Sequence, residues 1–83
     1  MQEKINLRNF GTSLNSRALA DRIFSSIKPE ADLVVDFANV EIASPSFCHE
    51  MFSILKRIKV RCRFANVNQT IQFQISKAAS LNV

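Results

Sequence analysis

"NQTIQFQISKAAS", residues 68–80, decides whether this chain closes with a strand or a helix, and with it how the sheet is completed. Read with a period of two, Ile71, Phe73 and Ile75 share a side and Gln72 and Gln74 take the other, the alternation of a half-buried strand. Read with helical spacing, Ile71, Ile75 and Ala78 form one stripe, Asn68 is placed to cap it, and Gln and Ala are good helix formers. The segments upstream run strand, helix, strand, helix, strand, and a third helix continues that order. A helix is therefore expected over residues 69–79, with Phe73 off its apolar stripe and exposed.

Working back from this tail, "VRCRFANV" (residues 60–67) alternates, with Val60, Cys62 and Phe64 inward and Arg61 and Arg63 outward. The helix before it is the clearest element. Ser44 suits its N-cap. Pro45 suits its first position, because the ring presets the backbone angle and lacks only an amide that would be unpaired there. Phe47, Cys48, Met51, Ile54, Leu55 and Ile58 share an apolar arc, and His49, Glu50, Ser53, Lys56 and Arg57 the opposite, solvated one. "DLVVDFANV" (32–40) reads as the central strand, Leu33, Val35 and Phe37 on one side, Val34, Asp36 and Ala38 on the other. Upstream, Leu19, Ala20, Ile23, Phe24 and Ile27 mark a first helix. Asn15 or Ser16 caps it, and it stops at about Lys28 because Pro29 disfavours helical geometry there. "FGTSLNS" (10–16) reads as a loop and "EKINLRNF" (3–10) as a half-buried strand.

Strands joined by helical crossovers are parallel, and such crossovers are right-handed. Three strands laid down in order, with room for one more short one, place every helix on the same face. The expected architecture is α/β: a small two-layer βαβαβα sandwich, one domain over residues 1–83, with a mainly parallel sheet. Lys4, Asn6, Arg8, Asp36, Arg61 and Arg63 then share the open face, where Asp36 is expected to pair with Arg61 or Arg63 across strands.

Composition narrows the function. The chain has 83 residues, a formal charge of +4, seven Phe and neither Trp nor Tyr. At this size folding buries about 60–65% of the unfolded surface, a marginal core. No apolar run reaches the roughly 20 residues of a membrane span. The N-terminus lacks the continuous apolar core of a signal peptide, so a cytoplasmic location is expected. One His and two separated cysteines, Cys48 and Cys62, give no metal-ligand spacing. No metal or cofactor is expected, and both thiols read as reduced core residues.

"FGTSLNSR" followed by "VVDFANVEIASPSFCHEMF" is similar to the uncharacterised bacterial STAS-like family, related to the anti-sigma factor antagonists. The family's features fall on Gly11, the Ser16–Arg17 pair opening the first helix, Asp36–Phe37 in the strand, and Ser44, Ser46, Phe47 and Glu50 at the next helix start. The resemblance covers nearly the whole chain. It implies a STAS-like fold and a non-catalytic regulatory module. It also implies a partner of the histidine-kinase ATPase type, or a similar anti-sigma-like regulator, and control by phosphorylation of a serine at the start of the helix after the central strand. The phospho-motif of the antagonists reads Asp-Ser-(Ser/Thr)-Gly; here Pro45 stands where the accepted serine falls and Phe47 replaces the Gly.

Read on their own residues, Ser44 is an N-cap, and a phosphate at Ser44 or Ser46 is compatible with a helix N-terminus, whose free amides favour negative charge. Arg17, Ser46, His49, Glu50, Ser53 and Phe73 are candidate partner contacts, with Arg17 alternatively pairing with Asp21 at helical spacing. His49 next to Glu50 or Cys48 does not make a catalytic set, because adjacent helical residues do not face each other. The chain also lacks a phosphate-cradling glycine motif and a paired-carboxylate site, so no enzyme is expected. The alternative is nucleic-acid binding through Lys4, Arg8, Lys56, Lys59, Arg61 and Arg63, although the sheet face offers no aromatic ring on which a base could stack. A further option is an accessory domain that dimerises to cover its open sheet.

Overall fold

The computed structural model describes residues 2–81. In chain order the elements are β1 (Gln2–Asn6), a 3₁₀ turn (Leu7–Phe10), β2 (Ser13–Leu14), α1 (Arg17–Phe24), β3 (Asp32–Asp36), β4 (Ile42–Ala43), α2 (Pro45–Arg57), β5 (Arg61–Ala65) and α3 (Gln69–Leu81). β1, β3 and β5 form a parallel sheet with β3 in the middle. The register aligns Glu3, Leu33 and Cys62 in one row and Ile5, Val35 and Phe64 two residues on. Side chains alternate across a strand, so these rows share a face. Leu33, Val35 and Phe37 on that face are buried, and the helices cover it. The opposite face carries Lys4, Val34 and Arg63 in one row and Asn6, Asp36 and Ala65 in the next, and it is open. The two-layer α/β sandwich expected from the sequence is the observed fold.

α2 lies between α1 and α3. Its capping pattern is the one its sequence foretells. The Ser44 hydroxyl accepts from the Phe47 N–H at 3.1 Å, and Pro45 opens the first turn. Phe47, Cys48, Met51, Ile54 and Leu55 are buried beneath it. Phe47 meets Phe24 of α1 with ring centroids 6.3 Å apart, while Phe64 of β5 meets Phe37 and Phe52 at 6.0 and 5.6 Å. Full burial of a ring such as Phe24, Phe37 or Phe47 contributes about 1.5–3 kcal/mol. α3 is a helix, not a fourth strand: Ile71, Ile75 and Ala78 are buried and Phe73 is 65% exposed. Asn68 caps it by accepting from the Ile71 N–H at 2.8 Å.

Four local expectations change. The 10–16 stretch is not wholly loop: the 3₁₀ turn ends in it, and β2 pairs in parallel with β4, Ser13 beside Ile42 and Leu14 beside Ala43. The extra strand pairing is thus a separate two-stranded ribbon and not an extension of the main sheet. The first strand stops at Asn6, which leaves Arg8 in the 3₁₀ turn instead of on the open face. α1 ends at Phe24, well before Pro29, because the chain must turn for the Glu30 N–H to reach the Ile58 carbonyl at 3.0 Å. Finally, Asp36 pairs with Lys4 of β1 at 3.4 Å, not with Arg61 or Arg63. The register puts Ala65 beside Asp36, and Asn66 at the end of β5 already donates to its Oδ1 at 2.9 Å.

Candidate functional site

The chain leaves β3, forms β4 and enters α2 through Ser44, and this junction is held from three directions. The Ser44 N–H donates to the Leu14 carbonyl at 2.8 Å, its hydroxyl caps the helix, and its carbonyl accepts from the Cys48 N–H at 3.0 Å. The two candidate serines therefore differ. Ser44 is half-buried with its hydroxyl in the cap, whereas Ser46 is exposed in the first turn of α2, beside exposed Pro45. A phosphate at that position meets the positive end of the α2 dipole but few free amides, because Pro45 has no N–H and the Phe47 and Cys48 N–H groups already donate to Ser44.

The other candidates on α2 do not share one solvated arc, and the reading of His49, Glu50 and Ser53 as an outer face is corrected here. All three are half-buried, because α1 and α3 flank α2 on both sides. His49 turns toward α3, where it lines a narrow cleft of about 30 Å³ with Pro45, Gln74, Lys77 and Ala78. Glu50 turns toward α1. Hydrogen bonding with Asp21 holds its carboxyl above the usual range, helped by burial and by the Asp21 charge, with Arg17 and Arg57 acting in the opposite sense. Arg17 thus lies in the field of an acidic pair bridging α1 and α2. Phe73 projects from α3 as the most exposed large apolar side chain among the described residues.

The basic candidates divide by location. Lys4, Arg61 and Arg63 lie on the open sheet face; Lys56 is in the last turn of α2 and Lys59 in the turn after it; Arg8 stands at the carboxyl ends of the strands. Burial pushes the thiols of Cys48 and Cys62 up to about 11, so neither is ionised at neutral pH. Among the described residues no three His, Cys, Asp or Glu side chains converge as metal ligands, and no helix is long and apolar enough to cross a membrane.

A second feature escaped the sequence reading. The carboxyl ends of β1, β3 and β5 open into a groove of about 760 Å³, floored by Phe37 and Val40. Arg8, Thr12, Asn39, Glu41, Asn66 and Asn68 line it. Asn39 and Asn66 adopt φ of 64° and 56°, a left-handed conformation that Asn tolerates better than most residues. Asp36 fixes the rim by accepting from the Ala38 N–H at 2.8 Å and from Asn66. These bonds, and then the neighbouring Lys4, hold its carboxyl below the usual range against the effect of burial. Asn68 ties down the facing loop by donating to the carbonyls of Val40 and Glu41. The signal in the sequence was the tetrapeptide "FANV", which occurs at residues 37–40, just past β3, and again at 64–67, across the end of β5, each time with Asn in the turn.

Comparison of the chain with protein-family models, with curated proteins and with solved structures found no match.

Proposed function

We propose that the protein is a non-catalytic regulatory module that docks a protein partner on the start of α2 and its preceding turn, and that phosphorylation of Ser46 releases the partner. The observation that carries this reading is the pairing of a fixed helix start with an accessible hydroxyl: Ser44 is committed to the cap, while Ser46 is exposed one residue beyond Pro45. A phosphate there adds about −1.5 to −2 charges. The helix tolerates it, because the positive end of its dipole favours an anion. A partner packed against the same turn loses affinity through repulsion and desolvation. The likeness of the strand–turn–helix sequence to STAS-like proteins supports the same reading and suggests the partner's type, a histidine-kinase-type ATPase or an anti-sigma-like regulator. Arg17, His49, Glu50, Ser53 and Phe73 are the contacts proposed beside Ser46.

The test combines phosphopeptide mass spectrometry of the protein from its own cells with pull-downs by wild type, S46E and S46A. The expected result is phosphate on Ser46, a kinase-like ATPase retained by wild type and S46A, and its loss from S46E. Equal retention by all three proteins, with Ser46 unmodified, rejects the proposal. Nucleic-acid binding, the alternative, would instead fall steeply with salt and would be abolished by R61E/R63E.

A further inference from the structure

We propose that the groove at the carboxyl end of the sheet is a binding site for a small hydroxylated anion, the chemistry shared by sugar phosphates and hydroxy acids. This site is independent of the partner surface on α2. Its location follows from the parallel sheet, whose strands deliver their carboxyl-end loops to one edge and so gather Arg8, Asn39 and Asn66 there. The groove, about 760 Å³, is wide and open to solvent, so its polar lining and not enclosure selects the ligand.

The rim is built before any ligand arrives. Asp36 holds Asn66 and the Ala38 amide, and Asn68 holds the loop at Val40 and Glu41, so the two sides of the groove are fixed by side chains already committed. A second set lines the groove without such commitments. Arg8, Thr12 and Asn39 make no side-chain hydrogen bond with another described residue. Arg8 supplies the fork of a guanidinium, which takes a carboxylate or a phosphate through paired hydrogen bonds. Thr12 and Asn39 supply neutral donors and acceptors suited to hydroxyl groups. Glu41 is the only acidic side chain among the lining residues. It accepts from hydroxyls and repels a second anionic group, which is why the ligand carries one anion and not several. The groove is open, so binding is weak, with a Kd on the order of 1 mM.

The experiment is a two-dimensional NMR titration of the ¹⁵N-labelled full chain with ribose 5-phosphate and, separately, with glycerate, which carries a single carboxylate, each to about 10 mM, well above that Kd. Inorganic phosphate and ribose serve as single-function probes. Saturable shifts of the Arg8, Thr12, Asn39 and Asn66 amides, weakened at least about fivefold by R8A and unchanged by R63A, are expected. A response to ribose 5-phosphate alone assigns a phosphate ligand, and a response to glycerate alone a carboxylate. Arg8 is exposed, so R8A leaves the fold intact, which the unperturbed spectrum verifies. The proposal is overturned by an absence of saturable shifts. It is equally overturned by shifts centred on Arg61 and Arg63 that survive R8A, or by inorganic phosphate binding as tightly as the hydroxylated ligands. None of these outcomes bears on Ser46, whose test uses other variants and another readout.

Discussion

Ser44 and Ser46 stand two positions apart and do different work. Ser44 satisfies the Phe47 N–H, a first-turn donor that the helix itself cannot pair. Ser44→Ala should cost about 1 kcal/mol in urea unfolding, whereas Ser46→Ala should stay within about 0.5 kcal/mol of wild type. Glu50 shows how a residue assigned to solvent can acquire a partner from another element. Its carboxyl is raised chiefly by hydrogen bonding with Asp21. The folded chain then keeps a proton that the unfolded chain has already released, so stability falls as pH rises between the ordinary carboxylate value and the raised one. Glu50→Gln keeps a donor toward Asp21 at every pH. It should remove that fall and stabilise the protein at neutral pH by less than about 1 kcal/mol, measured as a shift of the urea midpoint.

At the scale of elements, α3 carries the clearest lesson. Its sequence satisfies a strand through Ile71, Phe73 and Ile75, and a helix through Ile71, Ile75 and Ala78. The residue that separates the two readings is Phe73, inward in a strand and outward in a helix, and it is 65% exposed. Ile71 is fully buried against the core. Ile71→Ala should therefore cost about 2–5 kcal/mol, a large share of the ~5 kcal/mol at the low end of domain stabilities, while Phe73→Ser should be close to neutral. A strand would make the two substitutions comparably damaging, so chemical denaturation of the pair tests the assignment. α1 was legible in its stripe and in a cap at Asn15 or Ser16, of which Ser16 takes the role by accepting from the Leu19 N–H at 3.1 Å, but not in its end. Pro29 is a local stop signal; the bond from Glu30 to Ile58 that turns the chain earlier spans distant residues and leaves no local mark.

For the molecule as a whole, one open sheet face and one rigid edge set the behaviour. Asp36 links them: it faces the open side, pairs with Lys4, and through Ala38 and Asn66 holds the rim of the groove. Its carboxyl is lowered first by Asn66 and then by the Ala38 amide. The sign is opposite to that of Glu50. The folded chain releases the Asp36 proton more readily than the unfolded one, so this stabilisation is complete above the ordinary carboxylate range and is lost as pH falls through the lowered value. Asp36→Asn should reduce stability at neutral pH and flatten the acid limb of a stability–pH profile followed by urea unfolding. An unchanged acid limb would remove Asp36 from the account.

Residues 2–81 divide cleanly between what local pattern determines and what assembly decides. The amino-acid sequence alone determined the parallel α/β class, the helix cap at Ser44 and the inward phase of Leu33, Val35 and Phe37, because periodicity and capping act within a few neighbouring residues. Tertiary structure decided the β2–β4 ribbon, the choice of Lys4 over the arginines as the partner of Asp36, the partial burial of His49 and Glu50 between helices, and the groove. Each of these joins residues far apart in the chain, and such partners are chosen by register and packing, which no short stretch of sequence encodes.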